Sequence, residues 1–316
     1  MKIIGHEREK KFIRKILDRN YKSFSLLFEG KKCSGKKLVA LQTARAFLCE
    51  KKYGFGCNEC ESCKLVNNTI KNIYENKNLT PHPYLKIVKP ENQKEIKIDQ
   101  IREVINFLRL KTDSGKVVII DDAEKMNIES MNALLKTLEE PPENSMLILI
   151  TESHTFLLPT IVSRTQKIRF KPLSNQEIYE ILLSKGIDKE KAKKIALLSD
   201  GSLCNALFII NHENIYKFTK DIFNLIVKID EIHPEGIITF IENVEKLDIE
   251  NIYNILDLLN VFMHKTMLKG EISVQFYENY INEVNKLKKA IEKGVKKKLA
   301  FEAFYFNLKG EQSWIT

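Results

Sequence analysis

The stretch that decides the fold runs from Lys116 to Pro142 and reads KVVIIDDAEKMNIESMNALLKTLEEPP. Four consecutive β-branched residues, 117–120, predict a strand that is buried on both faces of a parallel sheet. The strand ends at Asp121 and Asp122, and acids at the carboxyl end of such a strand face the ligand crevice. Apolar residues then follow the period of a helix, which the Glu-Glu-Pro-Pro sequence ends because proline cannot continue it. By periodicity alone, the stretch fits any α/β core.

The composition is that of a globular chain with room for a large core. Its 316 residues predict two or three domains, and 29% of them are charged against 43% hydrophobic. No run of 18 apolar residues occurs, and the amino terminus lacks the apolar centre of a signal peptide, so we expect a cytoplasmic protein with no membrane partner. The net charge of +9 fits proximity to nucleic acid, and it equally fits a lysine-rich solvated surface.

A glycine-containing loop, GKKCSGKK, joins a predicted strand at 25–29 to a predicted helix at 38–49. Backbone N–H groups of such a loop cradle phosphates, while a lysine reaches the outer phosphate oxygens. Gly30, Gly35 and Lys36 have the spacing of this P-loop. The strand and helix on either side favour a P-loop over an ordinary glycine turn.

The last position of the loop departs from the motif. The motif requires Ser or Thr there to hold Mg²⁺ through its hydroxyl, and this chain has Lys37, which offers no acceptor atom. Phosphoryl transfer in P-loop proteins depends on positioning and on the metal's charge, so this loss costs hydrolysis more than binding. The sequence therefore predicts a degenerate P-loop without turnover, and it leaves ATP binding open.

Four cysteines follow the P-loop helix with C-x7-C-x2-C-x2-C spacing: Cys49, Cys57, Cys60 and Cys63. In a cytoplasmic protein such spacing is typical of thiolates that converge on Zn²⁺ rather than of disulfides. Four thiolates leave no open coordination position, so the zinc is predicted to be structural. Reduced thiols without metal and a DNA-reading zinc finger are the alternatives.

Several motifs together carry a family resemblance. The helix sequence NALLKTLEEPP directly after IIDDAEKM, the opening IIGHE and the segment LPTIVSRT closely resemble the clamp-loader branch of the AAA+ family. A four-cysteine knuckle between the P-loop and the acidic strand is a further feature of bacterial clamp-loader subunits. The resemblance implies an α/β AAA+ nucleotide-binding domain with a parallel sheet and an inserted zinc knuckle.

The resemblance also implies roles for single residues. Asp121 would hold the water shell of Mg²⁺, and Asp122 stands where an active ATPase has a glutamate that is one methylene longer. Thr151 takes the place of the polar sensor of the γ-phosphate. By the resemblance, Arg164 in the Ser-Arg motif would be the arginine finger that acts in trans on the nucleotide of a neighbouring subunit.

The rest of the chain is expected to be helical. The resemblance implies a AAA+ domain over 1–170 with its zinc module near 49–64, a helical lid domain over 171–212 and an all-α collar for oligomerisation over 213–316. In the lid, Cys204 stands where motor subunits have a second sensor arginine, and a neutral thiol cannot contact phosphate as a guanidinium does.

By this resemblance, we expect the chain to be a non-hydrolysing clamp-loader subunit of the bacterial DNA polymerase III holoenzyme. Its expected partners are the motor and delta subunits of a five-subunit ring, the sliding clamp, and primed DNA within the complex. One alternative is an active ATPase motor subunit of the same ring. The other is a zinc-containing nucleic-acid-binding protein with a vestigial P-loop, which strong, salt-dependent DNA binding by the chain alone would favour.

Overall fold

The computed structural model describes residues 3–19, 23–91, 94–110, 112, 115–229 and 241–312. The chain divides into two compact units, Met1–Ser174 and Asn175–Thr316. The division lies four residues beyond the predicted end of the nucleotide-binding domain. The further division of the second unit at residue 212 stays a prediction.

The first unit contains a five-stranded parallel sheet, as the acidic-strand pattern predicts. The strands are β1 (Ser23–Glu29), β2 (Leu85–Val88), β3 (Lys116–Ile120), β4 (Ser145–Thr151) and β5 (Gln166–Arg169). Their spatial order is β2-β3-β4-β1-β5, so β4 lies between β1 and β3. Because all strands are parallel, the segments that follow β1, β3 and β4 meet at one edge of the sheet.

Helices cover both faces of this sheet. They are α1 (Glu7–Asp18), α2 (Lys36–Leu48), α3 (Glu61–Glu75), α4 (Ile98–Arg109), α5 (Ile128–Glu139) and α6 (Pro159–Ser163). Short 3₁₀ helices occur at Ala123–Lys125 and His154–Phe156.

Successive strand side chains point to opposite faces of the sheet, which gives the unit two buried cores. Leu26 and Ile119 belong to the cluster that includes residues of α1, α2 and α3. Leu27 and Ile120 belong to the cluster that includes residues of α4, α5 and α6. Both layers need apolar side chains, so the central strands are continuous apolar runs rather than alternating ones.

Helix α5 ends where its sequence predicts, and its start is capped. The side chain of Asn127 caps the helix by accepting a hydrogen bond from the backbone N–H of Ser130 at 2.9 Å. Met131, Leu134 and Leu138 are buried along one face. The helix ends at Glu139, two residues before Pro141.

The second unit is helical throughout the part that the structure describes. Its helices are α7 (Asn175–Ser184), α8 (Lys189–Leu198), α9 (Leu203–Asn211), α10 (Glu213–Val227), α11 (Ile249–Leu268), α12 (Val274–Glu292) and α13 (Lys297–Gln312). Side-chain caps at Asp188, Ser202, Asp248 and Ser273 start four of them. Among the described residues, we find no helix that is both long and apolar enough to cross a membrane.

Candidate functional site

The sheet order brings the predicted nucleotide-binding residues together. The P-loop follows β1, the acids Asp121 and Asp122 follow β3, and Thr151 ends β4, which lies between those two strands. The backbone N–H of Gly30 donates to the carbonyl of Thr151 at 3.2 Å, which ties the start of the P-loop to the neighbouring strand. The P-loop, the two acids and Thr151, which are distant in sequence, thus lie together at one edge of the sheet.

The ammonium of Lys37 lies against the first acid of this edge. Its Nζ is 2.8 Å from Oδ2 of Asp121, and the two side chains are 30% and 16% exposed. In the P-loop motif this helix position supplies a hydroxyl to Mg²⁺, and the acid holds the metal's water shell. Here a positive side chain stands beside the acid instead. The residues present therefore do not fit a bound Mg²⁺ ion in this arrangement.

Lys36, the P-loop lysine, is turned back onto its own loop. Its Nζ donates to the carbonyl of Gly30 at 2.5 Å and to that of Lys31 at 2.8 Å, and the side chain is buried. Burial lowers the pKa of this ammonium, against the opposing attraction of Glu152 and Glu124. A phosphate that used Lys36 would have to displace both carbonyl contacts.

Asp122 has an unusual backbone and an unusual acidity. Its φ of 52° lies in the left-handed region, which Asp tolerates better than most residues. Desolvation raises the pKa of its carboxyl, and the neighbouring Asp121 and Glu124 add to the rise. A raised pKa makes the ionised carboxylate a stronger base, so this shift does not count against a general-base role.

A buried glutamate next to the P-loop was not found by the sequence analysis. Glu29 ends β1, and its Oε1 is 2.8 Å from Nδ1 of His154, which follows β4. Burial raises the pKa of Glu29, but the hydrogen bonds from the ring and backbone N–H of His154 outweigh it and lower the pKa. The contact links the P-loop strand to the segment after Thr151, and only the strand order makes it visible.

The amino-terminal segment packs onto the P-loop. Nε2 of His6 is 2.5 Å from the carbonyl oxygen of Ser34, and its ring meets the ring of Phe170 in an edge arrangement. The opening IIGHE thus has a structural partner that its sequence alone did not indicate.

The first glycine of the P-loop lies close to the same segment. A Cβ atom at Gly30 would lie 2.4 Å from the carbonyl oxygen of Phe170, so no other residue fits there without movement.

Thr151 and Arg164, the two remaining single residues, have different surroundings. Thr151 is buried, and its hydroxyl donates to the carbonyl of Ser153 at 3.0 Å. Arg164 follows α6 and is exposed, and its Nη2 lies 2.7 Å from Oε1 of Glu139. Within the described residues, none of its hydrogen bonds or ion pairs reaches the P-loop of this chain.

The four cysteines of the predicted metal site converge. The Sγ atoms of Cys49, Cys57, Cys60 and Cys63 all lie within 4.8 Å of one another. Tetrahedral zinc with bonds of about 2.3 Å needs sulfur separations of roughly 3.8 Å, and Cys57 and Cys63 are already 3.9 Å apart. A metal ion can therefore be held by these thiols with only small movements.

Backbone N–H groups point at these sulfur atoms. Sγ of Cys57 accepts from the N–H groups of Glu59 at 3.5 Å and Cys60 at 3.3 Å, and Sγ of Cys60 accepts from Cys63 at 3.4 Å. Burial opposes ionisation of Cys49, but backbone N–H groups, among them that of Cys57, lower the pKa of its thiol to about 6. The surroundings thus favour the thiolate of Cys49, the form that binds metal, whereas burial raises the pKa of the Cys63 thiol.

Arg45 is a second residue that the sequence analysis missed. It lies on α2 and is buried, with Nε donating to the carbonyl of Phe55 at 2.8 Å and Nη1 donating to Oδ1 of Asn67 at 2.6 Å. A Cβ atom at Gly56 would lie 3.0 Å from both Nε of Arg45 and Sγ of Cys63, so the guanidinium lies close to the cysteine cluster. Arginine stays charged in proteins, so it offsets the negative charge of the thiolates. Its place in a run of helix residues carried no signal of this role.

Replacing Arg45 by methionine should weaken metal binding. Methionine keeps much of the side-chain volume but removes both hydrogen bonds and the charge, and losses of supporting groups of this kind cost about 10- to 100-fold in metal affinity. Competition with a chromophoric zinc chelator measures the change. Lys51→Met is the matched control, because Lys51 pairs with Glu59 at the exposed rim of the same cluster. Equal zinc affinity of the two variants would contradict the role of Arg45.

The first unit matches a known protein family. The family model described as "DNA polymerase III, delta subunit" matches residues 5–174, which is more than half of the chain. The DNA polymerase III subunit delta' of Bacillus subtilis is 32% identical over 195 residues, which are 61% of this chain and 56% of that protein. Subunit delta' of Pseudomonas aeruginosa is 37% identical over 134 residues, 41% of this chain and 38% of that protein.

Other relatives extend the likeness to further subunits of the same polymerase. Subunit tau of Bacillus subtilis is 33% identical over 219 residues, 66% of this chain and 36% of that protein. A DNA polymerase III gamma subunit-related protein of Thermotoga maritima shares the fold with a TM-score of 0.52 at 18% identity, covering 96% of this chain and 99% of that one. The matched segments span about half, or less, of the length of these delta' and tau relatives.

The fold and the matched sequences agree with each other. The five-stranded parallel sheet confirms the predicted α/β fold, and the gamma subunit-related protein of Thermotoga maritima shares that fold. The family model and the delta' relatives confirm the resemblance that the Lys116–Pro142 stretch indicated. This chain belongs to the delta-subunit family of DNA polymerase III, with the delta' subunits of the clamp loader as its relatives.

Proposed function

We propose that this chain is a non-hydrolysing subunit of the DNA polymerase III clamp loader. In this role it supplies Arg164 as a trans arginine finger to the nucleotide of a neighbouring ATPase subunit during loading of the sliding clamp onto primed DNA. The observation that carries the proposal is the ion pair between Lys37 and Asp121. The ammonium of Lys37 stands at the loop position whose hydroxyl would otherwise meet Mg²⁺, which supports loss of the metal on which this chain's own turnover would depend.

Two further features support loss of turnover in this chain. Lys36 is bonded to the carbonyls of its own loop, and Asp122 is shorter than a catalytic glutamate. In the second unit, Cys204 stands in the place of the lid arginine of motor subunits. The cis elements of hydrolysis are thus altered, while the trans element, Arg164, is present and exposed.

The remaining parts of the chain have supporting roles in this proposal. The four cysteines would hold a structural Zn²⁺ ion, because their sulfur atoms converge and no coordination position is left for substrate. The helices of the second unit would form the lid up to about residue 212 and the oligomerisation collar beyond it. The chain would act in the cytoplasm, with motor and delta subunits, the clamp and primed DNA as its partners.

Replacing Lys37 by threonine should restore metal-dependent nucleotide binding. The change removes the ammonium from Asp121 and supplies the hydroxyl that the motif uses for Mg²⁺. One recovered charge-assisted contact corresponds to about 10- to 100-fold tighter binding. Titration of a fluorescent ADP analogue with and without Mg²⁺ measures the effect on the purified chain.

Lys37→Met is the control for this experiment. It frees Asp121 without providing a metal ligand, so Mg²⁺ should leave its affinity for the nucleotide largely unchanged. Wild-type chain that binds the analogue in a Mg²⁺-dependent manner, as tightly as Lys37→Thr, would contradict the interpretation of the ion pair. Hydrolysis by the wild-type chain alone, abolished by Lys36→Ala, would show instead that the chain is a motor subunit.

A further inference from the structure

Glu139 is the residue that holds the guanidinium of Arg164. It is the last residue of α5, and its Oε1 lies 2.7 Å from Nη2 of the arginine. Both side chains are partly exposed, at 49% and 35%. Nothing in the sequence motifs of the family resemblance assigned a role to this glutamate.

The contacts of Arg164 leave part of its guanidinium free. Nη1 donates to the carbonyl of Thr160 at 3.1 Å and to Oγ of Ser163 at 3.3 Å, and Nη2 faces Glu139. A guanidinium carries five N–H donors, and these contacts use three at most. At least two donors, including the Nε–H, have no partner within the described parts of the chain. The group is thus oriented by some of its donors and open to an anion at others.

The ion pair connects two helices that share one core. Leu138, next to Glu139, and Ile161 of α6 belong to the same buried cluster. Helix α5 ends at Glu139, two residues before Pro141. The backbone of Glu139 therefore belongs to the last turn of a packed helix. Packing of the two helices therefore holds the backbones near both partners, and the two side chains meet at the partly exposed surface.

We propose that Glu139 is a positioning residue for Arg164, and this inference rests on the proposed function. Glu139 fixes the guanidinium in one orientation before the neighbouring subunit docks, with two or more donors directed at that subunit's phosphate. Without it, the long arginine side chain samples several rotamers, and only some of them reach the phosphate. The orientation matters most in the transition state, where charge develops on the phosphoryl group.

The test compares Glu139→Gln with Glu140→Gln in the assembled clamp loader, with motor subunits, clamp and primed DNA. Glutamine keeps the shape of the side chain but not its charge, and Glu140 is an exposed glutamate at the next position. We expect kcat for ATP at the affected site to fall about 3- to 30-fold in Glu139→Gln, as expected for freeing one long side chain, while KM stays unchanged. Glu140→Gln should behave as wild type.

A double variant separates positioning from a general structural effect. If Glu139 acts through Arg164, Arg164→Ala with Glu139→Gln should be no slower than Arg164→Ala alone. Arg164→Ala that leaves turnover unchanged would overturn the proposed function itself. If Arg164→Ala slows ATP turnover but Glu139→Gln turns over ATP at least as fast as Glu140→Gln, only the positioning role would be overturned.

Discussion

Replacing Arg164 by alanine is expected to stop ATP turnover at the nucleotide site of the neighbouring subunit and to leave this chain folded. An arginine finger is worth about 10³- to 10⁵-fold in kcat, because its planar charge stabilises the transferring phosphoryl group. ATP turnover of the assembled complex should fall by at least the fraction that this one site contributes to the total. The fold should survive, because an exposed ion pair such as Arg164 with Glu139 contributes about 0 to 1 kcal/mol.

The measurement is ATP hydrolysis by the chain alone and then mixed with motor subunits, clamp and primed DNA. Arg102→Ala is the matched control, since Arg102 also makes an exposed ion pair, with Asp99 at 3.0 Å. We expect no ATP hydrolysis by the chain alone. In the mixture, wild type and Arg102→Ala should stimulate ATP hydrolysis, and Arg164→Ala should not. Equal stimulation by all three would exclude the finger role.

Removing the metal from the cysteine cluster is expected to unfold residues 49–64 and to spare strand β3. A structural zinc site contributes about 10 to 16 kcal/mol to folding in small domains, and this segment has few buried apolar groups of its own to replace it. Cys49, Cys60 and Cys63 form a small buried cluster that is separate from the two large cores. The sheet has its own apolar layers, so its protection should not depend on the metal.

Metal analysis of the purified chain, followed by hydrogen exchange with and without a chelator, measures this. Peptides covering 49–64 should exchange faster after chelation, and those covering 116–120 should not. Cys63→Ser should reproduce the chelated state, whereas Glu61→Gln, an exposed neighbour that is not a ligand, should resemble wild type. A chain that purifies without zinc, or that loses protection in both regions together, would rule out a structural zinc that acts locally.

The sequence alone was sufficient wherever a pattern is local. The apolar run 117–120 predicted β3, the period of the apolar residues and the two prolines predicted α5, and the cysteine spacing predicted a cluster whose sulfur atoms do converge. Each of these follows from residues within a few turns or strand positions of one another. The P-loop pattern is local in the same way, and its altered last position, Lys37, is visible in the sequence itself.

Tertiary structure alone decided which charges meet. Lys37 pairs with Asp121 because β4 lies between β1 and β3, and Arg164 pairs with Glu139 because α5 and α6 share a core. Arg45 stands beside the thiolates because the cysteine segment folds back onto α2. Such partners lie on different elements, and an ion pair depends on distance in space rather than on spacing in the chain. The sequence determined the parts of the site, and the packing of the elements determined their partners.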